Sequence, residues 1–322
     1  MLKNRIIASV LSALCLVSCD TAEPEDNNRM EIPEDLVFQP IWVTGLYEGG
    51  DRYLYPWRGE HVILCSYRKD LDKAVMQKWV GWCDDIYEFY VKCIGREPDG
   101  YRIDGLLPII QYRGTGAAAV GWVGSTGIYM EVEYFDGAYK SAQEGSCYGL
   151  NAYEMGRNFW FLGSKLQWMN DDFSGEPWCT GFAVYFESAA MEANNIPNTN
   201  GDTRAHYTKY MNNPGARIDN TLLLNQGLND DGSGATDLFA AFCLKLKDTF
   251  GDKWTYNVWK QVLARPDRRS DQDSIDNFVI ASSIAAEYDL SDLFEYWRWT
   301  VSDNAKGIIK GYSYPVFDPS TL

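Results

Sequence analysis

The sequence predicts an α+β fold, with a small mixed sheet leading into a motif helix and a mainly helical C-terminal subdomain. Two observations carry this. Short runs of β-branched and aromatic residues, bounded by Gly, Asp and Pro, are confined to the N-terminal part. From residue 149 onward apolar residues recur at three- and four-residue spacing, the period of a helix buried on one face. With 46% hydrophobic and 15% aromatic residues, a mature chain of about 300 residues can bury a large core, as one big domain or two tightly joined lobes. No internal repeat is visible.

The first element is a processing signal rather than fold. Lys3 and Arg5 precede the apolar stretch 6–17, too short for a spanning helix, and Leu16-Val17-Ser18-Cys19 resembles a bacterial lipobox. Residues 1–18 are therefore expected to leave as a signal peptide and Cys19 to be lipidated, which places the protein at a Gram-negative outer membrane, on its periplasmic or surface side. Residues 19–35, beginning Asp20-Thr21-Ala22-Glu23-Pro24-Glu25-Asp26, form an acidic tether with no apolar face to bury.

Residues 36–145 make the expected N-terminal α/β subdomain. Strands are expected at 36–44 and 61–67, separated by a Gly49-Gly50-Asp51 turn. A long helix follows at 71–93, with Trp79, Trp82, Ile86, Phe89 and Tyr90 at helical spacing. A buried strand at 106–112 and a strand at 128–134 flank the small-residue segment 114–124. That segment has no Lys-Ser/Thr after its glycines and opens no helix, so it is no phosphate loop.

Residues 146–322 make the second part. Helices are expected at 149–163 and 178–194, then a polar connection at 195–234, then helices at 237–250, 253–264, 274–288 and 292–300, with Gly251 and Pro266 as stops. Asn229-Asp230-Asp231-Gly232 lacks the carboxylate spacing of a calcium loop and reads as a turn.

The central motif is Tyr153-Glu154-Met155-Gly156-Arg157, followed by Asn158-Phe159-Trp160. Its frame is that of His-Glu-x-x-His, in which two histidines one helical turn apart bind zinc and the Glu acts as general base. Here Tyr153 and Arg157 hold the ligand positions. A phenol with a pKa of about 10 is a poor neutral-pH ligand and a guanidinium cannot ligate at all. On the following helix Glu187 sits among bulky apolar residues, a carboxylate in need of a partner. An Arg157 lying between Glu154 and Glu187 would supply the positive charge that a metal supplies elsewhere.

The order glycine-rich strand, motif helix, Glu helix, helical C-terminal half with a Trp-rich end resembles the gluzincin group of zincin-like peptidases. It is most similar to the enhancin-like, mucin-targeting metallopeptidases, whose motif is His-Glu-x-Gly-His with a later Glu; Gly156 matches the motif glycine. The resemblance spans roughly residues 55–305 as an order of elements. It implies a zincin-like fold, Glu154 and Glu187 at the matched catalytic positions, and a strand before the motif helix along which an extended substrate lies. With Tyr153 and Arg157 in place of histidines it implies no metal and no cofactor. His61 and His206 lie far from the motif in sequence and are expected to be structural or surface residues.

Composition narrows the partners. The formal charge is −16 and grows more negative once Lys3 and Arg5 leave, so nucleic acid is a poor partner. Of eight cysteines, Cys65, Cys83, Cys93, Cys147, Cys179 and Cys243 remain beyond Cys19. Cys83 and Cys93, on one helix, stand about 15 Å apart and cannot bridge; pairing among the other four is left open. The leading functional expectation is a lipid-anchored protein binding peptide, glycoprotein or glycan without peptidase activity, through Tyr153, Arg157, Trp160 and Trp122. The alternatives are a metal-independent hydrolase using Glu154 and Glu187, a plain structural or binding lipoprotein, and a metallopeptidase with unorthodox ligands.

Overall fold

The computed structural model describes residues 38–43, 52–114, 116–169, 177–199, 201–230 and 232–322. Cys19, the acidic tether and the Gly49-Gly50-Asp51 turn lie outside them. The strands are β1 (Ile41–Val43), β2 (Arg52–Arg58), β3 (Val62–Ser66), β4 (Asp99–Gly100), β5 (Leu107–Tyr112), β6 (Ala119–Gly121), β7 (Ser125–Thr126) and β8 (Ile128–Glu131). Six of them form one mixed sheet in the order β1-β2-β3-β5-β8-β6, parallel across β3-β5-β8 and antiparallel elsewhere. β4 and β7 pair separately.

The helices are α1 (Lys73–Ile94), α2 (Val132–Gln143), α3 (Leu150–Asn158), α4 (Trp178–Ala193), α5 (Ala205–Asn212), α6 (Ile218–Thr221), α7 (Ala235–Leu263), α8 (Asp271–Ala286), α9 (Ser291–Tyr296) and α10 (Asp303–Lys310). Asp72 caps α1 by accepting from the Val75 amide. Gly251, at φ 70° and ψ −167°, breaks α7 into two helical segments at the expected stop. Among the described residues no helix is long and apolar enough to cross a membrane.

Strand periodicity explains the layering. Val62 and Leu64 on β3 enter the large core under the helices, while Ile63 and Cys65 join the smaller cluster of Val43, Leu54, Ile110, Tyr112 and Tyr129 on the opposite face. The large core continues through α4, α7 and α8, where Trp178, Trp254, Trp259 and Trp297 are fully buried. The Trp-rich end is therefore packing.

Three sequence expectations change. The strand expected at 128–134 stops at Glu131, because Phe135, Ala138, Tyr139 and Ala142 recur at helical spacing and are buried as one face of α2. The motif helix ends at Asn158 rather than 163, its last turn tightening as Trp160 N bonds Arg157 O. The connection at 195–234 contains α5 and α6. Among the described residues the six cysteines are buried free thiols with no disulfide between them, and burial pushes those of Cys65 and Cys147 up to about 12.

Candidate functional site

Two glycines bring β6, α3 and α4 together. A Cβ on Gly156 would lie 2.9 Å from the Ala183 Cα, so glycine sets the closeness of α3 to α4. A Cβ on Gly121 would lie 2.4 Å from the Glu154 carbonyl oxygen, so glycine also lets the sheet edge reach α3. β6 ends the sheet order, and α3 meets its outer side at Gly121. Asn158 fastens the junction, its Nδ2 donating to the Trp122 carbonyl at 2.9 Å and the Gly127 carbonyl at 3.2 Å.

Glu154 is 5% exposed. Its Oε2 accepts from the Gly121 amide at 2.6 Å and lies 3.9 Å from Arg157 Nε. Burial pushes this carboxyl above its ordinary range, against the opposing pull of Arg157 and the Gly121 amide. Arg157 Nη1 donates to the Tyr153 hydroxyl at 3.3 Å and to Thr180 Oγ1 at 3.2 Å. Desolvation would lower the guanidinium's pKa, but Tyr153, Cys179 and Glu154 together more than offset it, so the cation persists. Burial likewise raises the Tyr153 phenol.

Arg157 thus points into the protein, with 18% of its side chain exposed, but it joins one carboxylate rather than two. Among the described residues no ion pair links it to Glu187. The reason is the length of α4: Arg157 turns to Thr180, and Glu187 lies two turns further on, about 10 Å along the axis. Glu187 opens instead on a pocket of about 350 Å³ lined by Val184, Ser188, Asp202, His206 and Asp237, among others. Burial first, then the negative charges of Asp237 and Glu154, raise its carboxyl to about 8. At neutral pH Glu187 is therefore mostly protonated and can donate a hydrogen bond.

His206, expected to be a structural or surface residue of a polar connection, lies in the same pocket as Glu187. It stands on α5, in the Glu187 pocket, with Nε2 4.0 Å from Asp237 Oδ2 and a buried Nδ1 that has no hydrogen-bond partner. The signal that could have found it is the spacing of Tyr207, Tyr210 and Met211, which marks a helix inside a segment read as irregular. His61 sits on the turn between β2 and β3, just outside the strand expected to hold it, and does not line this pocket. Trp122 is 38% exposed beside Gly121. Trp160, expected at the binding surface, is 5% exposed and packs its ring 5.2 Å from Phe182, so it belongs to the core.

The donor set at the motif does not fit zinc. A cation already occupies the second ligand position and is hydrogen-bonded to the phenol at the first. What the site can do is bind: a sheet edge, a neighbouring aromatic face, and a pocket holding one protonated carboxylic acid, two aspartates and a histidine.

No family model matches this chain. No curated protein matches it either. Solved structures of similar fold do exist. A functionally unknown conserved protein from Bacillus anthracis superposes with a TM-score of 0.59 at 14% identity, covering 84% of this chain and 54% of that one. A metallopeptidase in complex with Tn antigen gives 0.53 at 13% identity, covering 81% and 51%. The ZmpB metallopeptidase from Clostridium perfringens gives 0.52 at 18% identity, covering 80% and 48%. The chain spans about half the length of these proteins, and what they share with it is the zincin-like metallopeptidase fold.

Proposed function

We propose that the mature chain is a lipid-anchored, extracytoplasmic bacterial protein, held at the outer membrane through Cys19, that binds peptide, glycoprotein or glycan on a zincin-like fold without zinc peptidase activity. The observation that carries it is the Arg157 guanidinium, half-buried beside Glu154 and bonded to Tyr153 and Thr180 where a zinc ligand would otherwise stand. The ligand class is supported by the β6 edge, since a sheet edge takes an extended backbone, and by the exposed Trp122 beside it, whose face suits a sugar ring. It is also in keeping with the metallopeptidase of similar fold that is bound to Tn antigen.

Three measurements test this reading. O-glycopeptide and glycan arrays probed with the mature chain should give a defined ligand whose binding drops at least about tenfold in Trp122→Ala. Metal analysis after dialysis against trace zinc should show the same content in wild type and Glu187→Ala; zinc lost in that variant would restore a peptidase with unusual ligands. Palmitate labelling that survives in Cys19→Ala would remove the anchor from the proposal.

The protonated Glu187 facing Asp237 and His206 favours one second reading, a metal-independent hydrolase with Glu187 as general acid and Glu154 as its partner. It requires turnover of a glycoside or O-glycopeptide that Glu187→Gln abolishes. Binding without turnover eliminates it.

A further inference from the structure

We propose that Glu60, His61 and Glu88 form a binding site for a divalent transition-metal ion, with Zn²⁺ the best match. The site is separate from the Glu187 pocket, to which none of the three belongs. Their donor atoms all lie within 4.8 Å of one another. His61 Nε2 and Glu88 Oε1 are 3.1 Å apart. Two ligands bonded at about 2.0 Å to a tetrahedral zinc stand about 3.3 Å apart, so this edge of the coordination polyhedron is already in place. Glu60 is exposed at the end of the turn and reaches the same ion by a change of rotamer.

The backbone carrying these ligands is fixed in advance. Asp84, one turn before Glu88 on α1, accepts the amides of Glu60 at 2.8 Å, His61 at 2.9 Å and Val62 at 3.0 Å. Beside them a Cβ on Gly59 would lie 2.1 Å from Asp84 Oδ2, so this turn is pressed against α1 as closely as glycine permits. The His61 ring stacks on Tyr87, with centroids 5.1 Å apart and planes at 16°. Tyr87 is itself anchored, its hydroxyl donating to Glu97 at 2.9 Å.

The donor chemistry selects the ion. One imidazole with two carboxylates suits zinc and its transition-metal neighbours, whereas calcium and magnesium prefer sites built wholly of oxygen. With the His61 side chain 34% and that of Glu88 62% exposed, the remaining coordination positions face water. A bound ion would cross-link the turn between β2 and β3 to α1.

The chain has two histidines, which makes the test clean. Zn²⁺ is titrated into the whole mature chain carrying isotope-labelled histidine, and the two imidazole spin systems are followed by NMR. The expected result is that the spin system missing from His61→Ala shifts and saturates at about one equivalent. Binding should weaken by about tenfold or more in His61→Ala and Glu88→Gln, and stay unchanged in Glu187→Ala. A His61 signal unmoved up to about 1 mM Zn²⁺, or equal zinc uptake by wild type and His61→Ala, overturns the proposal. Zinc uptake abolished by Glu187→Ala instead would overturn the metal-free reading of the motif, so the two failures are distinguishable.

Discussion

Replacing Arg157 with Met should cost about 3 kcal/mol of stability at neutral pH. The change leaves Glu154 buried without its cation. At 3.9 Å and an effective dielectric of about 20, the two charges attract by about 4 kcal/mol; with 18% and 6% of the two side chains exposed, solvent screens little of this. The hydrogen bonds to Tyr153 and Thr180 are lost as well, at about 1 kcal/mol each. Against these stand the desolvation of the guanidinium, no longer required, and the option for Glu154 to take up a proton. The net lies near the low end of the range for breaking a buried pair by removing one partner. Urea unfolding of Arg157→Met, Glu154→Gln and the double variant measures it, with a coupling energy of about 2 kcal/mol expected. The pH dependence has a definite sign. The folded-state pKa of Glu154 already lies above its unfolded value of 4.5, and losing Arg157 raises it further. The folded variant then holds a proton that the unfolded chain releases above that value, so the deficit shrinks as pH falls through the ordinary carboxylate range. A loss below about 1 kcal/mol, independent of pH and additive in the double variant, would refute the buried pair.

Three further outcomes are expected. Gly156→Ala should destabilise by about 1–3 kcal/mol in chemical denaturation, although alanine favours a helix, because its Cβ meets Ala183 at 2.9 Å; a gain in stability would mean that the α3–α4 contact is loose. Glu187→Gln should be more stable than wild type above pH 4.5, by a margin that grows until about pH 8 and is flat beyond. This follows because the folded state holds the Glu187 proton that the unfolded state releases in that window; parallel stability–pH curves would contradict the raised pKa. Tyr153→His/Arg157→His should gain no zinc equivalent that depends on Glu187, because position 157 faces Thr180 and Glu187 lies two turns further along α4. Metal analysis after dialysis reads this, and an added equivalent that is lost with Glu187→Ala would show that Glu187 is placed as a third ligand.

The helix α1 was legible because its apolar residues recur at helical period on one face, and α4 and α8 because they are long runs, apolar on most sides, with apolar residues three and four apart. The break at Gly251 was legible for a similarly local reason. β2 and β6 were not. β2 carries an internal Pro56, and β6 is three residues long, too short to show alternation; it is a strand because β8 pairs with it. At the site, the pairing of Glu154 with Arg157 could be read from their spacing on one helix turn, and the misfit with zinc from residue type alone. That Glu154 also takes the Gly121 amide could not, since strand and helix meet through a glycine contact that no local pattern announces.

The sequence by itself determined the α+β class, the identity of the motif helix and the chemistry that Tyr153 and Arg157 deny to the site, because helical period and side-chain pKa are local properties. Tertiary structure decided which groups share a space. It turned Arg157 toward Thr180 instead of Glu187, carried His206 on α5 and Asp237 on α7 into the Glu187 pocket, and buried Trp160 while leaving Trp122 exposed. Those outcomes depend on how whole helices pack across long sequence separations, where the deciding quantities are volume and distance rather than the order of residues.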